Sequence, residues 1–109
     1  MNKMLKPLVF VGSSQDDLRA MPDSVRHVVG VDLMVVQFGG EPGHFKPMPG
    51  VGSGAYEIRV RDEAGAFRVI YVAKFADAVY VLHAFQKKTQ KTGKADMDLA
   101  ASRYKLIGG

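Results

Sequence analysis

From Tyr56 onward the chain runs on a period of two: Tyr56, Ile58 and Val60 alternate with Glu57, Arg59 and Arg61. That alternation marks a strand with one apolar and one polar face. Asp62, Glu63, Ala64 and Gly65 supply turn residues, and a second strand is predicted from Phe67 to Phe75. Ala76 and Asp77 turn the chain again. Val79 to Phe85 then reads VYVLHAF, apolar on both faces except at His83. Such a strand is central in its sheet or covered by helices. The short turns require the three strands to pair antiparallel.

Upstream the apolar period lengthens. Val25, Val28, Val29, Leu33 and Val36 recur at three- and four-residue spacing, one face of a helix that Pro22 opens and Gly39–Gly40 stop. Ser14 with Asp17 three residues later predicts a capping box and a shorter helix before it, so residues 14–38 read as two consecutive helices. Leu8 to Val11 is a short β-type run closed by Gly12. Residues 39–54 hold six glycines and three prolines and read as a loop, with Phe45 and Met48 pinning it to the core. Met97, Leu99, Ala100, Tyr104 and Ile107 predict a last helix over residues 94–106. The order β, α, α, β, β, β, α gives an α+β fold: a small antiparallel sheet packed against two N-terminal helices, with a short C-terminal helix.

At 109 residues the chain suits one domain, 1–109, and 47% apolar residues argue against disorder. With no cysteine, neither a disulfide framework nor a thiolate zinc site can form. The N-terminal apolar run, LVFV, is too short for a signal peptide, and no stretch approaches a membrane span. The expectation is a soluble, cytoplasmic protein.

Charge adds the first functional hint. Fifteen Lys and Arg face eleven Asp and Glu, and six of the nine lysines fall between Lys74 and Lys105. Arg59, Arg61 and Arg68 lie on the first two strands, and Lys87, Lys88, Lys91 and Lys94 follow the third. A sheet ending in fixed cations suits a polyanion. Each residue also has a plainer reading. Arg59 and Arg61 fit a solvated strand face, Glu57 shares that face and would pair with Arg59, and the lysine run fits a solvated lead-in to a helix. Arg68, beside Ile70 and Val72, is harder to explain as surface. His83 reads first as a satisfied core histidine whose ring could also reach the site. No carboxylate cluster falls near the basic residues, since Asp62 and Glu63 sit in a turn and Asp96 and Asp98 in the last helix. No metal and no cofactor are expected.

The run YEIRVRDEAGAFRVIYVAKFADAVYVLHAFQKKTQKTGKADMDLA, with LRAMPDSVRHVVGVDL and HFKPMPGVGSG upstream, resembles the phage-derived branch of the HigB/RelE toxin superfamily. These are the toxic halves of type II toxin–antitoxin pairs, and the resemblance spans roughly Lys6 to Tyr104. It implies a RelE-like fold and a metal-independent, ribosome-dependent mRNA endoribonuclease in which the ribose 2′-hydroxyl attacks the adjacent phosphate. It implies as partners the mRNA, the ribosome and a helix-turn-helix antitoxin held in a toxin–antitoxin hetero-oligomer. It places catalytic roles on Arg61, Arg68, Lys87 and Lys88, and RNA binding on Arg59, Lys74, Lys91, Lys94 and His83. Where many relatives carry proline before the last helix, this chain has Gly93; Tyr104, the one tyrosine in that helix, lies too far along to match the catalytic tyrosine of some members.

The chemistry needs the 2′-hydroxyl deprotonated, the phosphorane stabilised and the leaving 5′-oxygen protonated. Guanidinium forks suit the second task. No His pair or Glu–His couple is evident for the others, which leaves Lys87 or Lys88, its pKa lowered among cations, as base. That gap keeps open a non-cleaving RNA- or ribosome-binding module, or an inactive prophage remnant.

Overall fold

The computed structural model describes residues 5–88 and 92–107. Its elements are β1 (Leu8–Phe10), α1 (Ser14–Arg19), α2 (Asp23–Gln37), β2 (Phe45–Pro47), β3 (Ala55–Asp62), β4 (Gly65–Val72), β5 (Val79–Lys87) and α3 (Lys94–Tyr104). They form one sheet in the order β1-β5-β4-β3-β2. β3, β4 and β5 pair antiparallel, as their short connections demand. β1 adds in parallel to the outer edge of β5, a pairing the sequence left unplaced. β5 is therefore flanked by strands on both edges and packed by α1 and α3 on its two faces, which accounts for its continuous apolar run. No helix among the described residues is long and apolar enough to cross a membrane.

Three local readings change. The glycine-rich stretch contains an edge strand: Phe45–Pro47 pairs with Tyr56–Ile58, and Phe45 sets its ring edge-on to Tyr56 at 5.6 Å. Pro47 and the strand's shortness hid it, and both suit an edge. The capping box does not form. Ser13 is the residue before α1, and its hydroxyl bonds the Asp17 carboxylate at 2.7 Å. Ser14 is fully buried and donates to the Val81 carbonyl at 3.1 Å, tying α1 to β5. On α2 the buried face is Val25, Val29, Leu33 and Val36, while Val28 turns outward. Gly39 ends that helix with φ of +93°, its N–H bonding the Val36 carbonyl.

Each face of the sheet has its own core. α2 packs against Ile58, Val60, Phe67, Val69 and Val81. Opposite, Ala100 of α3 joins Met48, Val51, Ile70, Val72, Leu82 and Phe85. α3 is seated by a bulge in β5: Ile70 pairs with His83 and Tyr71 with Val81, so Leu82 is the extra residue. The Leu82 carbonyl accepts from Arg103 Nη1 of α3 at 2.9 Å, and His83 Nε2 meets Asp96 Oδ1 of α3 at 2.7 Å. The Arg103 guanidinium lies where Gly12, at φ +60°, would carry a Cβ, so only glycine fits there. Gly93, just before α3, has φ of −67°, an angle open to any residue and the one proline enforces, so the backbone entry to α3 does not require glycine.

Beyond α3 this second core turns ionic. The side chains of Glu57 (1% exposed) and Arg68 (6%) are buried together, Arg68 Nε lying 3.3 Å from Glu57 Oε1. Arg68 Nη1 donates to the Phe67 carbonyl at 3.1 Å, and the Thr92 hydroxyl donates to Glu57 Oε2 at 2.6 Å. Removing one partner of such a pair strands the other charge and costs about 3–5 kcal/mol, whereas an apolar replacement of both is far milder. Glu57→Gln and Arg68→Leu should therefore each lower the urea midpoint sharply. The double variant Glu57→Leu/Arg68→Leu should be more stable than either single variant, and additive losses in the urea series would sink this account of the pair.

Candidate functional site

Register builds a grid of side chains on the sheet face that carries α3. Lys46, Glu57, Ile70 and His83 form one row across β2, β3, β4 and β5. The next holds His44, Arg59, Arg68 and Phe85, His44 entering through a 2.9 Å bond from the Arg59 N–H to its carbonyl. The third holds Arg61, Ala66 and Lys87. α3 reaches the first row through Asp96 on His83. At the other two rows Arg59 and Arg61 are exposed and Lys87 half-buried. A cleft of about 370 Å³ opens there, lined by His44, Arg59, Val60, Arg61 and Arg68.

The strands dictate this placement. Alternation puts Arg59 and Arg61 on the face opposite Ile58 and Val60, whose burial against α2 leaves the arginines no choice of side. Because β2 is three residues long, the outer edge of β3 past Arg59 has no strand beside it, and the cleft opens at that edge. Arg59 stands directly across from Arg68. Like charges in that position repel, and the buried carboxylate of Glu57 offsets them at Arg68. The pairing of Glu57 with Arg59 expected from the sequence does not occur: Glu57 engages Arg68, one strand over.

The charges reshape each other. Burial pushes the Arg68 guanidinium below its ordinary pKa, Glu57 raises it, and Arg59 and Arg61 lower it. It stays cationic, since an arginine starts far above neutrality. Lys87 is lowered first by its partial burial, then by Arg68 and Arg59; Glu57 opposes this and Lys46 adds to it. A cleft walled by three guanidiniums, with an amine of reduced basicity across the sheet, can bind an oxyanion and can exchange a proton beside it.

Not every residue singled out from sequence joins this group. Arg59, Arg61, Arg68 and Lys87 come together. Lys88 is exposed just past β5. Lys74 lies beyond the opposite end of β4, its Nζ 5.3 Å from the Phe75 ring and 5.8 Å from that of Tyr104, away from the arginines because Val72 rather than Arg68 is its near neighbour on the chain. Lys94 bonds Asp98 at 2.7 Å on α3. Lys91 lies outside the described residues. His83 is buried in the core as expected, its Nε2 bonded to Asp96 and its ring stacked on Phe85 with centroids 4.5 Å apart, but it is not fully satisfied: its Nδ1 has no hydrogen-bond partner among the described residues. Tyr104 donates to the Ser53 carbonyl at 2.7 Å and holds the loop after β2.

Two residues the sequence reading passed over belong here. Lys46 stands across from Glu57 and acts on the pKa of Lys87; His44 lines the cleft. Phe45 between them points to the α2 side, and that alternation was the available signal had Phe45–Pro47 been read as a strand. Among the described residues no group of three or more His, Asp and Glu side chains is placed to hold a metal.

Comparisons with known proteins agree with this architecture. No curated protein matches the sequence significantly. Among solved structures the chain is similar to the free state of a double Arg→Ala mutant of the E. coli toxin RelE, with a TM-score of 0.63 and 17% identity over 95% of this chain and 99% of that one. At that identity the likeness concerns the fold. The model of the family described as "Phage derived protein Gp49-like (DUF891)" matches residues 16–105. The chain thus belongs to the phage-derived Gp49-like family and has a fold similar to that of RelE.

Proposed function

We propose that this protein is the toxin of a type II toxin–antitoxin pair and cuts mRNA on the ribosome. The observation that carries this reading is the grid itself: Arg59, Arg61, Arg68, Lys46 and Lys87 share one sheet face around a single buried carboxylate. A face with that surplus of fixed cations is completed by a polyanion. An RNA strand laid along the cleft sets its phosphates on Arg59 and Arg61, with Lys88 beyond β5 holding the backbone further on.

The reaction needs no group the chain lacks. The ribose 2′-oxygen bonds to the adjacent phosphorus, the bond from phosphorus to the 5′-oxygen breaks, and the products are a 2′,3′-cyclic phosphate and a 5′-hydroxyl. One proton leaves the 2′-oxygen and one reaches the 5′-oxygen. Charge grows on the phosphorane, and Arg61 and Arg68 are the donors that meet it, a contact worth on the order of 10²–10³ in rate. Arg68 contributes through a position fixed by Glu57 and the Phe67 carbonyl. Lys87 is the lysine suited to the proton transfer, because its pKa is lowered within the grid. The ribosome supplies the in-line arrangement of the message.

A toxin of this kind requires a silencing partner, and we assign that role to a helix-turn-helix antitoxin. A protein partner is supported by the apolar stripe on the outer face of α2, where Val28, Val31, Val35 and Phe38 are between 37% and 57% exposed.

The decisive variants follow from burial. Arg61 is exposed, so Arg61→Ala should fold normally and lower the single-turnover cleavage rate on translating ribosomes by about 10²–10³. Arg68→Lys, which keeps the charge and loses the fork, should fall in the same direction. Uncut messages with well-folded wild type would instead favour a non-cleaving ribosome or RNA binder. Fragment ends test the chemistry separately: 5′-hydroxyl termini are expected, and a 2′-deoxy substitution at the cut nucleotide should abolish cutting. Fragments with 5′-phosphates would exclude the 2′-hydroxyl route.

A further inference from the structure

The grid has two flanks, and each carries one group able to move a proton. Lys87 stands on β5, at one side of the arginines; His44 stands at the outer edge of β3, at the other. Three strand spacings of about 4.8 Å separate their backbones, and both side chains project from the same face toward Arg59, Arg61 and Arg68. An in-line displacement sets its attacking and leaving oxygens on opposite sides of phosphorus. With the phosphate held on the arginines, one oxygen faces each flank.

Resting on the reading above, we infer that His44 is the general base that takes the 2′-hydroxyl proton, with Lys87 the general acid on the 5′-oxygen. The chemistry of the two groups decides the direction. An imidazole offers a ring nitrogen lone pair, whereas a lysine side chain is an ammonium that gives up its proton more readily when burial and neighbouring cations lower its pKa. The imidazole is the available acceptor and the ammonium the available donor. The setting agrees: Arg59 and Arg61 of β3 and Arg68 of β4 line the cleft with His44, and Lys46 of β2 stands two residues along the chain from it. Two carboxylates closely precede it on the chain: Asp32 of α2 accepts from the Gly43 N–H at 3.3 Å, and Glu41 lines a separate hollow with Tyr56 and Tyr71. The step balances: the imidazole gains the proton that Lys87 later regains through solvent exchange, and no oxidant or further reactant enters.

His44 is exposed, and among the described residues its hydrogen bond is made by its backbone carbonyl, so changing the side chain leaves the sheet intact. His44→Gln should unfold at the wild-type temperature yet cut ribosome-bound mRNA about 10²-fold or more slowly under single turnover. The wild-type pH–rate profile should show an acidic limb that vanishes in the variant. In His44→Ala, free imidazole added to the buffer should restore part of the rate, which a purely structural residue would not permit. If His44→Gln cuts at the wild-type rate with the limb intact while Arg61→Ala is impaired, the base is another group and the cleavage reading stands. If folded wild type does not cut at all, the reading and this inference fall together.

Discussion

The buried pair of Glu57 and Arg68 is the constraint on which the rest of this molecule turns. A guanidinium with a side chain 6% exposed cannot stay charged in a sheet core unless a carboxylate lies beside it, and Glu57 is the acid placed there. The pair does three things at once. It fixes the Arg68 fork in the middle of the grid, it offsets part of the repulsion from Arg59 directly across, and through the Thr92 hydroxyl it anchors the segment leading into α3. Stability and site geometry therefore share the same atoms. A change aimed at the chemistry of Arg68 is also a change to the fold, which makes the exposed Arg61 the cleaner probe.

Around that pair the architecture works by leaving one thing undone. Most of the sheet is covered: α1 and α2 close one face, α3 closes the upper half of the other, and β1 closes the edge of β5. β2 stops after three residues. Among the described residues the far end of β3 keeps an open edge and an uncovered face, and it is there that two exposed arginines project. An edge of this sort invites pairing with other strands, and charged side chains on it are the usual defence. Here the defence and the candidate site use the same residues, Arg59 and Arg61.

Much of the fold was legible because it rests on periodicity. The change from spacings of three and four in α2 to two in β3 follows directly from which side chains are buried, and both survive in the structure. What could not be read is what depends on tertiary contact. β2 is too short to show a period and contains a proline, so its existence is decided by Tyr56 and Ile58 across from it. The same blindness hid His44 and Lys46, which acquire a common face only once that strand exists. Ser14 looked like half of a capping box, since nothing local reveals that the Val81 carbonyl waits above it. Glu57 seemed the partner of Arg59 two residues on, because a sequence shows neighbours along the strand and not across it. Lys74 looked like part of the basic group by its count along the chain, but β4 carries it to the other end of the sheet.

In the proposed reaction the electrostatics of the grid would favour a transition state over a ground state. Among the described residues Arg59, Arg61 and Lys46 have little to neutralise them, and the pKa of Lys87 is lowered first by burial and then by Arg68 and Arg59. An RNA phosphodiester would bring one negative charge and relieve part of that repulsion on binding. The phosphorane would bring a second, and the fixed array would gain most from that increment because its donors are already held and need not reorganise. Full neutralisation by protein carboxylates would have given a more stable sheet with nothing left for a reacting phosphate. A buried acid committed to Arg68 and to Thr92 leaves the cationic surplus facing the cleft, where the proposed chemistry would draw on it as the bond forms.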